Sequence, residues 1–479
     1  MKNRILTLAA ALLLAGATVI GLSACNDNAT ETDTETVTET ETETTVETVG
    51  DTDTDTETVT ETETETETET ETETETETTW KPSVQMSDLD ELMLPIFSGN
   101  TVRNETVMFL DKGETKDLLY PISEIVSVTS YNGQTVYVEG EDYEIVNGKI
   151  KVLENSSIPC IGSATYYNSG NGTVTLNGQK IYWGENMMQK YQVNVNYTHD
   201  TEWEGFAQQS ALSTFESFLK KLEAGEDVTV IFYGDSITYG ACSGWIANIQ
   251  NGNRVDPVFS TNQYPYSILF TQALADLFDY TVEFVDYSHL QTSTPALTLT
   301  GAPKVPSEDY VAGERGTITY INTSEGGESV NGAARKLDTF LLEPIETYGC
   351  DLLVVAYGMN DGGSANINNK TETIVDAVWE MKPDASVVVV STMMPHPGTN
   401  FDGNQKSQEN NLQTLVKRLR DREGKSVAVA CVNSVTKDML EIKDFYDFAG
   451  NNVNHPNDFL HRIYAQTLLQ TVIGYENMQ

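Results

Sequence analysis

Cysteine is scarce in this sequence, and its spacing provides no structural framework. Five cysteines occur in 479 residues, with no Cys-x-x-Cys pair and no His/Cys cluster at zinc-binding spacing. We therefore expect no disulfide scaffold and no metal centre. Cys350 and Cys431 lie in or beside apolar runs, where a thiol acts as a small hydrophobic group. Cys242 follows a Gly-Asp-Ser turn and is closer to the candidate chemistry.

Basic residues are also few. Lys and Arg total 28 against 72 Asp and Glu, which gives a net charge of −44. Proteins that bind nucleic acid need clustered Lys and Arg to neutralise phosphates, so nucleic acid is not an expected partner. The charge is uneven, because residues 26–79 contain 21 acidic residues and no basic one.

Only one apolar run is long, and it stands at the start of the chain. It extends from Ile5 to about Leu22 behind two basic residues, which is typical of a secretory signal. The run ends in Leu-Ser-Ala-Cys, which resembles the bacterial lipobox and makes Cys25 the expected lipidation site. The alternative is an ordinary cleaved signal peptide. We expect an extracellular protein at the cell surface that meets the membrane through its lipid anchor only.

The segment after this signal cannot form a core. Residues 26–79 are a Thr/Glu and Thr/Asp repeat, and Glu and Thr alternate without a break from Glu61 to Thr78. Neither face of such a strand is apolar, so nothing offsets the entropy of ordering. The sequence predicts a disordered spacer between the signal at 1–25 and the first folded domain. A solubilising tail without a length requirement is the alternative.

Residues 80–204 predict an all-β sandwich domain. Short strands are followed by turn signals such as Asn147-Gly148 and Asn177-Gly178. The predicted strands are 125–129, 135–139, 149–153, 172–176 and 191–198. An aromatic group at 166–167 and 182–183 suits either a sugar-stacking surface or a core, and both interpretations stay open.

Residues 205–479 predict an α/β domain with a flavodoxin-like parallel sheet. Apolar strands are expected at 228–232, 282–285, 318–322, 352–356, 386–391 and 426–432. Helical patterns separate them at 263–280, 330–346, 368–382, 404–421 and 457–473, after a first helix at 215–222. Chemistry in such sheets gathers where the strands end, at their carboxyl side.

Four strand ends or loops carry a consistent set of polar groups. The first strand ends in Gly-Asp-Ser, which exposes the hydroxyl of Ser236 in a tight turn. A later strand ends near Gly327, where a backbone N–H can approach a ligand closely. Another ends in Gly-Met-Asn-Asp with Asn360, whose amide can donate to an oxyanion. His455 precedes the last helix.

These four marks, in this order, resemble the SGNH hydrolases, also called GDSL esterases and lipases. The resemblance covers about residues 225–475. It implies a Ser236 nucleophile with His455 as its general base. It also implies an oxyanion hole made by the N–H groups of Ser236 and Gly327 and by the side chain of Asn360. The choice of Gly327 over Gly326 rests on spacing alone.

One position departs from the family. Members usually have an Asp three residues before the His, and this sequence has Asn452 there. An amide cannot stabilise an imidazolium as a carboxylate does. The sequence therefore predicts either a Ser–His dyad or another group that orients His455. Asp444, Asp447 and a backbone carbonyl are the candidates.

Four further residues are candidate substrate contacts. Asp235 and Asp361 adjoin two of the motifs, Trp245 follows the nucleophile, and His396 follows a strand end. A long insertion at about 287–316 is expected to cover or shape the acyl pocket.

The resemblance extends to the carbohydrate acetylesterases of this superfamily, so the expected substrate is an acetylated polysaccharide or oligosaccharide. The insertion is poor in large apolar residues, which disfavours long acyl chains. Alternatives are an esterase acting on lipid or small esters and an inactive glycan-binding surface protein. No cofactor is expected.

Overall fold

The computed structural model describes residues 88–168, 174–250, 264–285, 313–362, 367–403, 405–422 and 424–475. The predicted signal, Cys25, the spacer and most of the predicted insertion lie outside these residues. The chain from Lys81 to Gln479 forms one compact unit. We call its residues 88–204 the β region and its residues 205–475 the parallel-sheet region; a domain boundary between 204 and 205 stays a prediction. Within the described residues, no helix is both apolar enough and long enough to cross a membrane.

The β region consists of short antiparallel strands. They are β1 (Thr101–Met108), β2 (Thr115–Lys116), β3 (Glu124–Ser130), β4 (Val136–Tyr137), β5 (Tyr143–Val146), β6 (Lys149–Val152), β7 (Thr175–Leu176), β8 (Gln179–Lys180) and β9 (Gln192–Thr198), with helices α1 (Asp88–Leu92) and α2 (Ser163–Tyr166). The sheets run β1-β9-β3-β4, β2-β6-β5 and β7-β8, which fits the predicted all-β domain. Asn147 and Asn177 have φ of 54° and 50° in their two-residue turns, as hairpins of this length require.

Helices and strands alternate in the parallel-sheet region. They are α3 (Glu216–Ala224), β10 (Val228–Gly234), α4 (Ser236–Tyr239), α5 (Gly244–Gln250), α6 (Tyr266–Phe278), β11 (Tyr280–Val285), β12 (Gly316–Asn322), α7 (Val330–Arg335), α8 (Glu343–Tyr348), β13 (Leu352–Ala356), α9 (Ile367–Met381), β14 (Ser386–Val390), α10 (Gln405–Arg420), β15 (Val427–Ala430), α11 (Val432–Met439) and α12 (Asp458–Ile473). The strands form one parallel sheet in the order β11-β12-β10-β13-β14-β15. The predicted α/β fold is confirmed.

The core of this sheet explains its apolar strands. Every residue of β10, β13 and β14 is buried, and side chains such as Leu353 and Val389 pack with Val375 of α9 and Leu412 of α10. The next two strands in the chain, β11 and β12, lie on one side of β10, and β13 lies on its other side. The carboxyl end of β10 is therefore the topological switch point, where open α/β sheets bind ligands.

The β region packs directly on the loop before α12. Met108 N at the end of β1 donates to Asp447 Oδ1 at 2.8 Å, and Gln192 Nε2 of β9 donates to the carbonyls of Tyr446 and Ala449 at 2.7 and 2.9 Å. These contacts hold the segment that leads to His455 against the antiparallel sheet.

Candidate active site

The turn after β10 presents Ser236 at the switch point. Gly234 has no room for a side chain, because a Cβ there would lie 2.2 Å from Thr238 Oγ1 and 2.6 Å from the Ala356 carbonyl oxygen. Asp235 caps α4, its Oδ1 accepting from Ile237 N at 3.0 Å. Ser236 is thus the first residue of α4, and the local packing fixes its backbone.

The loop that carries His455 is shaped by one asparagine. Asn451 Oδ1 accepts from the backbone N–H groups of Val453, Asn454 and His455, each at 3.0 Å. This arrangement aims the imidazole at the nucleophile, since His455 Nε2 lies 2.9 Å from Ser236 Oγ. The predicted nucleophile and base are therefore in hydrogen-bond contact, although 219 residues separate them in the chain.

The other ring nitrogen of His455 contacts a carboxylate of the β region. His455 Nδ1 lies 2.9 Å from Glu185 Oε2 and 2.8 Å from Oε1. Glu185 stands between β8 and β9, and 53% of its side chain is exposed. Cys242 Sγ donates to its Oε2 at 2.8 Å, and Asn451 Nδ2 donates to its Oε1 at 3.2 Å. The nucleophile segment and the histidine loop therefore both hold this carboxylate.

Electrostatics agree with this geometry. Desolvation raises the pKa of Glu185, but the charge of His455 and the hydrogen bonds from His455, Cys242 and Asn451 outweigh it and lower that pKa to about 2. For His455, desolvation lowers the pKa, and the carboxylate of Glu185 more than offsets this, so the pKa is raised. An ionised Glu185 accepts from Nδ1–H, which leaves Nε2 to accept the proton of Ser236. Burial and Glu185 raise the pKa of the Cys242 thiol far above its usual value, so it remains a donor.

The residues suggested by sequence spacing do not orient His455. Asn452 Nδ2 donates to Tyr166 Oη at 2.9 Å and to the Tyr182 carbonyl at 2.7 Å. Asp447 accepts from Met108 N, and Asp444 accepts from Lys116 Nζ and from Tyr446 Oη. These side chains fasten the loop to the β region instead. Sequence reasoning missed Glu185, because a carboxylate 270 residues away carries no local motif.

The predicted oxyanion donors lie in loops tied to the serine turn. Glu325 N donates to the Gly234 carbonyl at 3.1 Å, which joins the loop after β12 to the end of β10. Gly327 has φ of 75°, and no atom lies within 4 Å of the place a Cβ would take. Asn360 Nδ2 donates to the Glu328 carbonyl at 3.1 Å. Because an amide nitrogen carries two N–H groups, one remains for a ligand. Their role in an oxyanion hole stays a prediction.

Two of the predicted substrate contacts are carboxylates that already accept hydrogen bonds from backbone N–H groups. Asp235 caps α4, and both oxygens of Asp361 accept from Val330 N at the start of α7, at 3.0 and 3.1 Å. Burial is the main reason that the pKa of Asp235 is raised to about 7 and that of Asp361 to about 6. The observed contacts of both are structural, and contact with substrate stays a prediction.

The other two predicted substrate contacts, Trp245 and His396, are buried aromatic rings. Trp245 on α5 is 7% exposed and has its ring centroid 6.1 Å from that of Tyr264. His396 is also 7% exposed; it stacks on Phe445 at 4.7 Å and directs Nδ1 to the Asn452 carbonyl at 2.9 Å. The structure therefore places His396 in the packing of the loop before α12, and contact of either ring with substrate stays a prediction. Of the aromatic group, Tyr166 is buried in the core.

Comparison with known proteins finds structural likenesses at low identity. No family model and no curated protein matches the sequence. A two-domain esterase active on acetylated mannans, co-crystallised with mannopentaose, matches with a TM-score of 0.36 and 15% identity, over 55% of this chain and 54% of that chain. This chain thus spans about half the length of that esterase.

Two further solved structures match similarly. An acetyl xylan esterase has a TM-score of 0.30 and 18% identity over 51% of this chain and 98% of its own. A member of the lipolytic protein G-D-S-L family from Veillonella parvula has a TM-score of 0.30 and 13% identity over 51% and 97%. These neighbours are GDSL-type lipolytic proteins and acetyl esterases, the kind of protein that the sequence motifs resemble. Similarity at this level assigns no substrate.

Proposed function

We propose that the protein is a serine esterase that removes acetyl groups from polysaccharide. The observation that carries this proposal is the hydrogen-bonded series Ser236 Oγ, His455 Nε2, His455 Nδ1 and Glu185, with both links at 2.9 Å. A nucleophile, a base and a group that orients the base, in mutual contact, are the arrangement that acyl transfer by serine requires.

The first half-reaction forms an acyl-enzyme. Ser236 Oγ attacks the ester carbonyl carbon while His455 Nε2 takes the hydroxyl proton, and Glu185 stabilises the imidazolium that forms. The tetrahedral oxyanion is held by the N–H groups of Ser236 and Gly327 and by the amide of Asn360. Such donors contribute about 3–4 kcal/mol each to the transition state. The carbon–oxygen bond to the sugar then breaks, and His455 gives the proton to the leaving sugar oxygen, which becomes a hydroxyl group.

The second half-reaction releases the acid. A water molecule replaces the sugar alcohol, His455 Nε2 takes one of its protons, and the water oxygen attacks the acyl carbon. Collapse of this second oxyanion breaks the bond to Ser236 Oγ, which recovers its proton from His455. The products are acetate and a free enzyme, and besides water each step uses only side chains and backbone N–H groups of the site just described.

Access and charge support the proposed substrate class. Glu185 is next to the reacting histidine and is still half exposed, which favours a site that a polymer can approach. An acetyl group needs little pocket volume. Residues 80–479 contain 51 acidic and 26 basic residues, and this acidity disfavours anionic polymers, since like charges repel. A neutral acetylated polysaccharide is the substrate that meets these conditions.

The test measures acetate release by the purified protein from acetylated mannan, acetylated xylan and a small acetyl ester. Ser236→Ala and His455→Ala should each abolish release, whereas Ser213→Ala, a change at an exposed serine, should leave it intact. Hydrolysis of the small ester alone would reject polysaccharide as the substrate. Absence of hydrolysis from all three would reject the esterase and favour a glycan-binding role.

The proposed location is the cell surface, with a lipid on Cys25 and residues 26–79 as a spacer. The run Leu-Ser-Ala-Cys at 22–25 supports it. Cys25→Ser should move the protein from the detergent phase to the aqueous phase in a phase-partition assay of producing cells. A wild-type protein found in the aqueous phase would contradict the anchor.

A further inference from the structure

We propose that Glu185, Cys242 and His455 form a site for a thiophilic divalent cation such as Zn²⁺, and that this ion inhibits the enzyme. The binding half of this proposal stands on geometry alone. The inhibition half rests on the proposed esterase function, because it concerns the imidazole that serves Ser236.

The three side chains offer one sulfur, one nitrogen and one oxygen ligand. The Cys242 Sγ, the His455 Nδ1 and a carboxylate oxygen of Glu185 all lie within 4.8 Å of one another. Zinc in proteins takes this mixture of thiolate, imidazole and carboxylate, at about 2.0–2.3 Å from each. Three protein ligands also leave a fourth tetrahedral position for water, the coordination seen at zinc sites that remain open to solvent.

Close packing holds the ligands in place before any ion arrives. Cys242 has a φ of 64°, a conformation that non-glycine residues keep only where the surroundings impose it. Gln189 Nε2 donates to the Cys242 carbonyl at 3.1 Å. A Cβ on Gly450 would lie 2.3 Å from Cys242 Cβ and 2.7 Å from Gln189 Nε2. The half-exposed carboxylate of Glu185 gives an ion a route from solvent.

Binding would disable the base through its tautomer. The metal takes the thiolate of Cys242, whose proton leaves to solvent. It also takes the lone pair of His455 at Nδ1, so the single proton of the neutral imidazole moves to Nε2. An Nε2–H group donates to Ser236 Oγ and cannot accept the serine proton. The ion therefore stops nucleophile activation without occupying the space of the ester.

Direct binding is measured with Ser236→Ala protein, by zinc titration in competition with a chromophoric chelator. Adding Cys242→Ser keeps a hydroxyl near Glu185 but removes the sulfur ligand, and should weaken zinc binding by about tenfold or more. Adding Cys160→Ser, at a half-buried cysteine of the β region, should leave the affinity unchanged. The acidic spacer is present in every variant and cancels in the comparison. Equal affinity of the Cys242→Ser and parent proteins would overturn the site.

Two further measurements complete the test. Co²⁺ in place of zinc should give a sulfur-to-metal charge-transfer band that is missing in the Cys242→Ser protein, and absence of the band from both proteins would overturn thiolate ligation. Zinc should inhibit acetyl-ester hydrolysis by the wild type and a chelator should restore it, with weaker inhibition in Cys242→Ser relative to that variant's own zinc-free rate. Zinc binding without inhibition would overturn the inhibitory role. If the wild type does not hydrolyse the acetyl ester even before zinc is added, the esterase function is rejected, whereas the zinc-binding result still holds.

Discussion

At the residue scale, the tautomer of His455 depends on one side chain from the β region. Glu185 accepts from Nδ1, and Cys242 and Asn451 donate to the same carboxylate. This hydrogen bonding keeps the imidazole from rotating and keeps its free lone pair on Nε2 toward Ser236. The β region therefore contributes a positioning residue to the proposed active site.

Replacing this carboxylate by its amide should lower kcat with little change in KM. We expect Glu185→Gln to reduce kcat by roughly 10²–10⁴-fold, because the amide holds the ring but does not stabilise imidazolium. The loss of charge also lowers the pKa of His455, so the acid limb of the kcat/KM profile moves to lower pH. Steady-state hydrolysis of an acetyl ester across pH measures both effects.

Glu185→Asp and Glu141→Gln serve as controls for this variant. Aspartate keeps the charge on a shorter side chain and should recover part of the rate, whereas Glu141, an exposed residue of the β region, should be neutral. A Glu185→Gln enzyme with wild-type kcat and an unshifted acid limb would show that the contact is structural only.

Asn452 should affect the stability of the fold rather than the rate of catalysis. Its amide is fully buried and binds Tyr166 Oη and the Tyr182 carbonyl, and its φ of 63° suits Asn better than Ala. We expect Asn452→Ala to cost about 1–3 kcal/mol of unfolding free energy, with a far smaller effect on kcat than Glu185→Gln. Denaturant unfolding beside kinetics tests this, and a large loss of kcat at unchanged stability would contradict it.

Local motifs were sufficient to predict the contact between Ser236 and His455, and insufficient for the third group. Gly-Asp-Ser and the late histidine each mark a strand end or a loop, and parallel strands bring such ends together. Glu185 lies in a turn of the β region, and no recognisable sequence motif surrounds it. Only the packing of the β region on the histidine loop brings it to the site. Asn452 stands where the family usually has Asp, and its side chain binds Tyr166 Oη and the Tyr182 carbonyl.

At the element scale, a buried ion pair joins β1 to the segment before α12. Lys443 Nζ lies 2.6 Å from Glu105 Oε1, and both side chains have no solvent exposure. Tyr197 Oη and Leu119 N also donate to the Glu105 carboxylate, at 2.6 and 2.9 Å. The pair is thus fully desolvated, with one partner in each region. Removing either charge should therefore cost a large part of the unfolding free energy.

Breaking this pair should destabilise the whole compact unit. We expect Glu105→Gln to lower the free energy of unfolding by about 3–5 kcal/mol, because it removes the carboxylate charge that contacts the buried Lys443 amine. Lys443→Met should also destabilise. The double variant should lose clearly less than the sum of the two single losses, since it buries no unpaired charge. Additive losses in a denaturant-based double-mutant cycle would contradict the coupling.

The sequence pattern predicted most strands and helices of the parallel-sheet region, but not the interruption of one helical stretch. The strand over 352–356 is as expected, because a fully apolar run between turn signals has one placement in a parallel sheet. The helical pattern expected over 330–346 is present, but it is divided: α7 ends at Arg335, a π-helical turn covers Asp338–Leu342, and α8 begins at Glu343. Pro344 stands in the first turn of α8, where its missing N–H interrupts the hydrogen-bond ladder.

At the scale of the whole molecule, acidity has different consequences inside and outside the core. Almost half of the net charge of −44 lies in residues 26–79. Several acids are instead buried in the compact unit, and desolvation raises the pKa of Asp235 and Asp458 to about 7 and that of Asp447 to about 6. Such groups make the stability of the fold depend on pH near neutrality.

Asp458, the first residue of α12, offers the cleanest test of this dependence. Its Oδ1 accepts from Gly244 N at 2.9 Å and its Oδ2 from Tyr131 Oη at 2.6 Å. The folded-state pKa of about 7 exceeds the value of 3.8 expected when unfolded, so between these values the native state binds more protons. The contribution of Asp458 to the unfolding free energy therefore falls as pH rises from about 4 to 7.

Asp458→Asn removes this titration and retains a side chain of nearly the same shape. The stability of Asp458→Asn relative to the wild type should rise steadily from pH 4 to pH 7. The difference between the two proteins is the informative quantity, because the buried His461, whose pKa burial lowers to about 3, makes both more stable over much of the same range. Urea unfolding at several pH values measures that difference. A constant difference would show that the Asp458 carboxyl titrates alike in the folded and unfolded chains, and that its desolvation is compensated by the hydrogen bonds from Gly244 and Tyr131.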